Sequence, residues 1–464
     1  MLAGHAHALL QKGLCDPAAD STGSPGHQRR APGEVRIGRK HCPFFAHMFQ
    51  VGEMLEALII FVATYLFLAG TELPFLKLDR PGGAVAGAVA MVAFGVLTPE
   101  QVYRDAISWD TLVLLLGMMV ITSVMARAGI FRWIAWETLR RAHGPRAVLA
   151  VLVLVSGALS ALLVNDTVCV MCTPLVLALV EAAALPPLPY LLGLAFASNA
   201  GSVATLTGNP QNMLIGTLSG IAYAQFGKAL LLPALLSLGA VLCVLLVAFR
   251  RELAWKRLSV DLDAPPPLNK PLSLLCAGGL AFVLAGFLLG YNLAWTAMTG
   301  AALLLALSRQ PPKAMFAQVD GSLLLFFAGL FVVTHGVAHA GIAERIHGAL
   351  APLLGSDAPQ QTVRFGLFTV AACQLVSNVP FVLLAAHWVP KLADPHLAWL
   401  SLALVSTLAG NLTPVASVAN LIVLELAGEK GKISFLRFLG LGVFCTFLPL
   451  ALGVACLLLQ RGYF

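Results

Sequence analysis

An amide, a carboxylate and a hydroxyl stand side by side at Asn165, Asp166 and Thr167. The apolar arms around them, 147–164 and 168–183, contain no Lys or Arg. A carboxylate so placed has no basic partner, so it must take up a proton or a cation. The amide and hydroxyl add neutral hydrogen-bonding groups. If the second arm starts a helix here, its unpaired N–H groups and dipole favour an anion. The plainer role for Asp166 is a helix N-cap. Capping and binding are compatible.

A second polar group interrupts an apolar stretch at "SNAGSVATLTGNPQNML" (198–214). Gly201, Gly208 and Pro210 break a helix there. Asn199, Thr205, Thr207, Asn209 and Asn212 supply amides and hydroxyls. Exposed carbonyls at such a break suit Na⁺, and the restarted helix suits an anion. Two further stretches echo these groups. "LVSNVPF" carries Ser377 and Asn378, and "AGNLTPVASVAN" (409–420) carries Asn411, Thr413, Ser417 and Asn420.

The echo is an internal repeat. "GMMVITSVMARAGI" (117–130) and "GLFVVTHGVAHAGI" (329–342) agree at seven of fourteen positions, offset by 212. The same offset sets Asn165-Asp166 on Ser377-Asn378. An offset of 208 sets Thr205 and Asn212 on Thr413 and Asn420. The predicted spans follow the repeat. In the first half they fall near 54–70, 82–98, 109–126, an interrupted 189–216, and 227–249. In the second they fall near 272–290, 293–307, 321–340, an interrupted 397–427, and 435–459. Paired arms (147–164 with 168–183, 365–376 with 380–390) read as re-entrant hairpins. Short amphipathic pieces at 131–144 and 342–350 read as interfacial.

These elements predict an all-α polytopic membrane protein of two repeats. Each has five spans, one re-entrant helical hairpin and one broken helix, or seven spans if the paired arms cross; both counts are odd. An odd span count inverts the second repeat, the arrangement of secondary transporters with a midplane site. With the first span starting outside, 17 basic residues between the spans lie inside and 6 outside, in line with the positive-inside rule. The divisions are a 1–53 tail, a first repeat at 54–250, a cytoplasmic linker at 251–271 and a second repeat at 272–464. The tail, rich in His and Arg, reads as disordered or as spurious upstream sequence, with Met48 or Met54 a more natural start.

Composition agrees. Of 464 residues, 59% are hydrophobic and only 11% charged, against about 25% charged in soluble domains. The net charge of +7 lies in loops and implies no nucleic acid. No phosphate-cradling loop is present, so transport must be driven by a gradient or by a separate partner. No HExxH or GxSG motif supports an intramembrane enzyme, which is the distant alternative. Cys169, Cys172 and Cys373 near the tips read as small packing residues. His335 and His339, one turn apart, lack a third ligand for a metal.

The stretches "LLVNDTVCVMCTPLVLAL", "ASNAGSVATLTGNPQNMLIG" and "SWDTLVLLLGMMV" resemble the ion transporter superfamily. That group holds arsenite permeases and citrate-transporter-like proteins, and the YbiR-type anion permeases are the nearest in pattern. The resemblance implies a bacterial inner-membrane protein with ten spans, a homodimer and an elevator motion. The family site falls on Asn165, Asp166, Thr167, Ser377 and Asn378, and on Asn199, Thr205, Thr207, Gly208, Asn209, Asn212, Asn411, Thr413, Ser417 and Asn420. Dicarboxylate members carry Ser-Asn-Thr at both tips. Here the tips read Asn-Asp-Thr and Ser-Asn-Val, nearer to arsenite permeases at the first. The expected function is a secondary permease for a small anion, coupled to H⁺ or Na⁺, with no cofactor. The alternative is an arsenite or metalloid exchanger or a sodium/proton exchanger.

Overall fold

The computed structural model describes residues 43–69, 79–254 and 265–463. The chain divides into two units, Met1–His47 and Met48–Phe464. Of the first, only 43–47 are described, as the opening of a helix. Most of the expected tail and the middle of the 251–271 linker therefore lie outside the described residues.

The described chain is helical, with no strand. The first half comprises α1 (Pro43–Ala69), α2 (Arg80–Ala93), α3 (Trp109–Arg127), α4 (Ile130–Arg141), α5 (Pro145–Leu162), α6 (Asn165–Ala182), α7 (Pro187–Ser202), α8 (Pro210–Ser219) and α9 (Tyr223–Ala248). The second comprises α10 (Lys270–Leu288), α11 (Leu293–Leu307), α12 (Gly321–His339), α13 (Ile342–Leu354), α14 (Ala358–Val376), α15 (Asn378–Ala385), α16 (Pro395–Ala409), α17 (Val418–Ala427) and α18 (Phe435–Gln460). Among the described residues, seven helices are long and apolar enough to cross a membrane: α3, α5, α6, α9, α10, α12 and α18.

Local chemistry sets the boundaries. Asp79, Asp320, Asp357 and Asp394 accept N–H bonds in the first turns of α2, α12, α14 and α16. Gly129 and Gly341, 212 residues apart, adopt φ +84° and +78° and turn α3 into α4 and α12 into α13. On α4, hydrogen bonds from Arg140 and the nearby charge of Arg141 hold the Glu137 carboxyl down to about 2. Several boundaries differ from the sequence reading. α1 starts at Pro43, before Met54, α2 ends at Ala93, α14 starts at Ala358, and α15 is only eight residues long.

Packing follows the halves reciprocally. α2 packs on α12, and α11 packs on α3. A Cβ on Gly329 would lie 2.7 Å from the Ala84 backbone, and one on Gly117 would lie 2.9 Å from the Ala297 backbone. Small residues thus let each pair of helices touch backbone to backbone. Gly117 and Gly329 are themselves 212 apart, so the offset seen in sequence recurs in packing.

The two interrupted helices form the centre. Residues 189–204 of α7 and its break are all buried, and residues 397–411 of α16 and its break are likewise buried. A helix buried all round reads as apolar all round, apart from the polar groups its break must satisfy. Outward faces are apolar and exposed instead, as at Leu274 of α10, Leu235 of α9 and Phe444 of α18. That is the pattern a lipid-facing surface requires.

Candidate substrate and ion site

Four helices begin at one place. α6 starts at Asn165, α8 at Pro210, α15 at Asn378 and α17 at Val418. All four starting residues line one cavity of about 20 Å³, with Asp166, Gln211, Ser377 and Ser417. Phe326, Phe327 and Leu330 of α12 close it. That volume holds about one water molecule. Each helix N-terminus carries unpaired N–H groups and about +0.5 of dipole charge.

The first tip is made by Leu163 and Val164, both extended and fully buried. It is held to the first break through backbone. Asn165 N–H donates to Gly208 O at 2.9 Å, and the Thr205 hydroxyl donates to Ala161 O at 2.5 Å. A Cβ on Gly208 would lie 2.3 Å from Ser202 O, so only glycine fits there. The second tip is built differently. Ser377 caps α15 at φ +64°, a backbone region costly for a residue with a side chain. Its first arm is held by Gln374, whose Nε2 donates to Ala409 O at 3.0 Å and whose Oε1 accepts from the Thr413 hydroxyl at 2.8 Å.

Each break is closed by an asparagine at the repeat offset. Asn212 Nδ2 donates to Ser202 O and Thr205 O at 3.1 and 3.0 Å. Asn420 Nδ2 donates to Gly410 O and Thr413 O at 2.7 and 3.3 Å. The four carbonyls correspond pairwise at an offset of 208. Carbonyls freed by a broken helix must find donors when buried. Asn209 accepts the Asn212 N–H at 2.8 Å, and its Nδ2 donates to the Ser202 and Thr407 hydroxyls.

Asn199 joins the halves. Its Oδ1 accepts from Asn165 Nδ2 at 3.1 Å and from the Ser417 hydroxyl at 3.2 Å. Its Nδ2 donates to Asn411 Oδ1 at 2.9 Å and to Asn420 Oδ1 at 3.4 Å.

The expected site residues therefore sort into two groups. Asn165, Asp166, Ser377, Asn378 and Ser417 line the cavity. Asn199, Thr205, Gly208, Asn209, Asn212, Asn411, Thr413 and Asn420 do not line it, but they hold the breaks around it. Thr207 turns away, toward the Tyr223 hydroxyl at 3.3 Å. Thr167 is buried with its hydroxyl unpartnered and lies off the cavity wall. Gln211 and Gln374 were not among the expected residues. Gln211 was legible inside "NPQN". Gln374 was hidden because its repeat counterpart is Leu162.

Asp166 is 3% exposed and makes no ion pair among the described residues. No Lys or Arg lines the cavity. Asn165 Oδ1 and Asn378 Oδ1, one at each tip, are buried without a donor. Two amide oxygens and a carboxylate together are an oxygen-rich set that fits a proton or a hard cation such as Na⁺. Cys169 donates to the Ser198 hydroxyl at 3.2 Å; neither it, Cys172 nor Cys373 lines the cavity. His335 and His339 have rings 6.4 Å apart, and His339 contacts Gln101. Among the described residues no three potential ligands group to hold a metal ion.

The sequence profile of the citrate transporter family (CitMHS) matches residues 58–409. A transporter named arsB from Dictyostelium discoideum is 26% identical over 89% of this chain and 94% of its own. An uncharacterized transporter of Mycobacterium tuberculosis is 30% identical over 87% of this chain and 98% of its own. The silicon efflux transporter LSI3 of Oryza sativa subsp. japonica is 30% identical over 82% and 93%. The crystal structure of the Alcanivorax borkumensis YdaH transporter superposes with a TM-score of 0.54 at 17% identity, covering 89% of this chain and 98% of that one. At that identity the likeness concerns the fold alone.

Proposed function

We propose, since this chain belongs to the citrate transporter family, that this multi-pass secondary transporter carries a small anion driven by an H⁺ or Na⁺ gradient. The observation that carries the reading is the meeting of four helix N-termini around one carboxylate. Four termini contribute about +2 in dipole charge. Asp166 offsets one unit, which leaves room for about one negative charge. When Asp166 holds a proton or Na⁺, a second negative charge is balanced. Binding of the coupling ion and of the anion then support each other through charge.

The two halves, 54–250 and 272–464, act as inverted repeats, with the 251–271 linker on the cytoplasmic side of a bacterial inner membrane. The tips and breaks are tied together by amides, whereas the cavity meets α12 through Phe326, Phe327 and Leu330. A polar body against an apolar wall supports an elevator-type displacement, because sliding there breaks no hydrogen bond. A homodimer would anchor the wall.

A second reading has its own support. A cavity lined by amides and hydroxyls with no basic residue also suits a small uncharged hydroxylated acid of a metalloid, and relatives include a transporter named arsB and a silicon efflux transporter. One experiment separates the two. Purified protein is melted in detergent with phosphate, citrate, arsenite or silicic acid, at several pH values, with Na⁺ or K⁺. A melting shift with an anion that grows with Na⁺ or acid supports the first reading. A shift only with arsenite or silicic acid supports the second. No shift with any solute contradicts both.

A further inference from the structure

A second, larger cavity of about 420 Å³ lies along three of the five helices that line the tip cavity, α8, α12 and α15. α8 gives Gln211 to the tip cavity and Leu214 to the larger one. α12 gives Leu330 to the first and Phe331 to the second; α15 gives Pro380 to the first and Leu383 to the second. On every helix the two cavities are separated by one turn or less, about 5 Å or under along the axis. Leu214, Phe331 and Leu383 thus form an apolar collar between them.

Beyond the collar the larger cavity becomes polar. Asp105, His335 and His387 border it. His387 Nδ1 lies 3.2 Å from Leu383 O. A volume of a few hundred Å³ with an apolar body and few polar groups is typical of a small-molecule vestibule. The helices also differ in how firmly they are held. The first tip is tied to its break by a backbone bond, while the second, on α15, is held through Gln374 and has a strained Ser377 at its end.

We propose that the seam between α8, α12 and α15 is the access route of a small polar solute, with the cavity at Asp105, His335 and His387 as its vestibule and displacement of the α15 tip as its gate. The inference rests on the tip cavity being the transport site, but its test needs no substrate. Ala386→Cys, on the vestibule wall, and Ser377→Cys, at the tip, are placed in a chain whose own cysteines are replaced. Each is treated in proteoliposomes with a charged, membrane-impermeant thiol reagent. Ala386→Cys reacts fast from one side of the membrane only. Ser377→Cys reacts from that same side, at least about tenfold slower, a ratio equal to about 1.4 kcal/mol of opening. Leu383→Trp fills the collar and slows Ser377→Cys at least about tenfold more, leaving Ala386→Cys unchanged, which also reports that the protein is folded. Leu214→Trp, from a different helix, repeats the test. Ser377→Cys labelling unchanged by either tryptophan, or arising only from the opposite side, overturns the route. The function proposed above fails by a different result, the absence of any solute-induced melting shift.

Discussion

Replacing Asn199 by alanine should cost more than any other single amide in the protein. Its side chain makes four hydrogen bonds, and its partners come from both halves. Ser417 and Asn420 lose only longer bonds, and Asn420 Nδ2 keeps its two carbonyls. Asn165 Nδ2 and Asn411 Oδ1 lose bonds of 3.1 and 2.9 Å and remain buried. Each orphaned buried group costs about 1–3 kcal/mol, so the variant should lose about 2–6 kcal/mol. Denaturant unfolding in detergent micelles, followed by tryptophan fluorescence, measures this. Asn199→Ala and Asn411→Ala combined should be less than additive by about 1 kcal/mol or more, since both break the same bond. Ser401→Ala is the control. Ser401 is equally buried, but its hydroxyl has no partner, so its loss should be neutral or slightly stabilising. Asn199→Ala as stable as Ser401→Ala, or additivity with Asn411→Ala, would refute the shared network.

Three other outcomes follow from named contacts. A Cβ on Gly201 would lie 2.2 Å from Gly157 O, so Gly201→Ala should separate α5 from α7 and cost about 1–3 kcal/mol, read as a lower melting temperature; Gly278→Ala, with nothing within 4 Å, should not. Gln374→Leu should destabilise by about 1–3 kcal/mol, because it leaves Ala409 O without its donor and the Thr413 hydroxyl without its acceptor; melting equal to that of the parent would count against this latch. Reporters fused at Leu258 and after Phe464 should lie on opposite sides of the membrane, and finding both on one side would contradict the inverted arrangement.

Much of this architecture was legible in residues. Gly208 and Pro210 mark the first break, and the offset of 208 pairs Asn212 with Asn420, which donate to corresponding carbonyls. The tip residues Asn165, Asp166, Ser377 and Asn378 meet in one cavity, as polar groups stranded in apolar sequence must when water is excluded. Other features depend on contacts distant in sequence. Asn199 looked like one polar residue among several, and only the meeting of α7 with α16 and α17 makes it central. Thr207 carries the same hydroxyl as Thr205, yet it faces Tyr223, because direction around a break has no fixed period. Apolar stretch alone overestimated α15, since Ala386, Trp388 and Val389 are apolar although the helix stops at Ala385. The vestibule draws Asp105, His335 and His387 from three separate segments, so no local pattern announces it.

In the proposed function Asp166 couples transport to an ion while the surrounding helix N-termini and amides hold the solute. Uptake into proteoliposomes of whichever solute shifts the melting temperature, with imposed pH and Na⁺ gradients, tests it most directly. Asp166→Asn keeps the shape and removes the charge. The variant is expected to melt near the parent temperature and still exchange solute, but no longer to accumulate it in response to either gradient. Gradient-driven accumulation by Asp166→Asn, with the pH and Na⁺ dependence of the parent, would reduce Asp166 to a helix cap and contradict the mechanism.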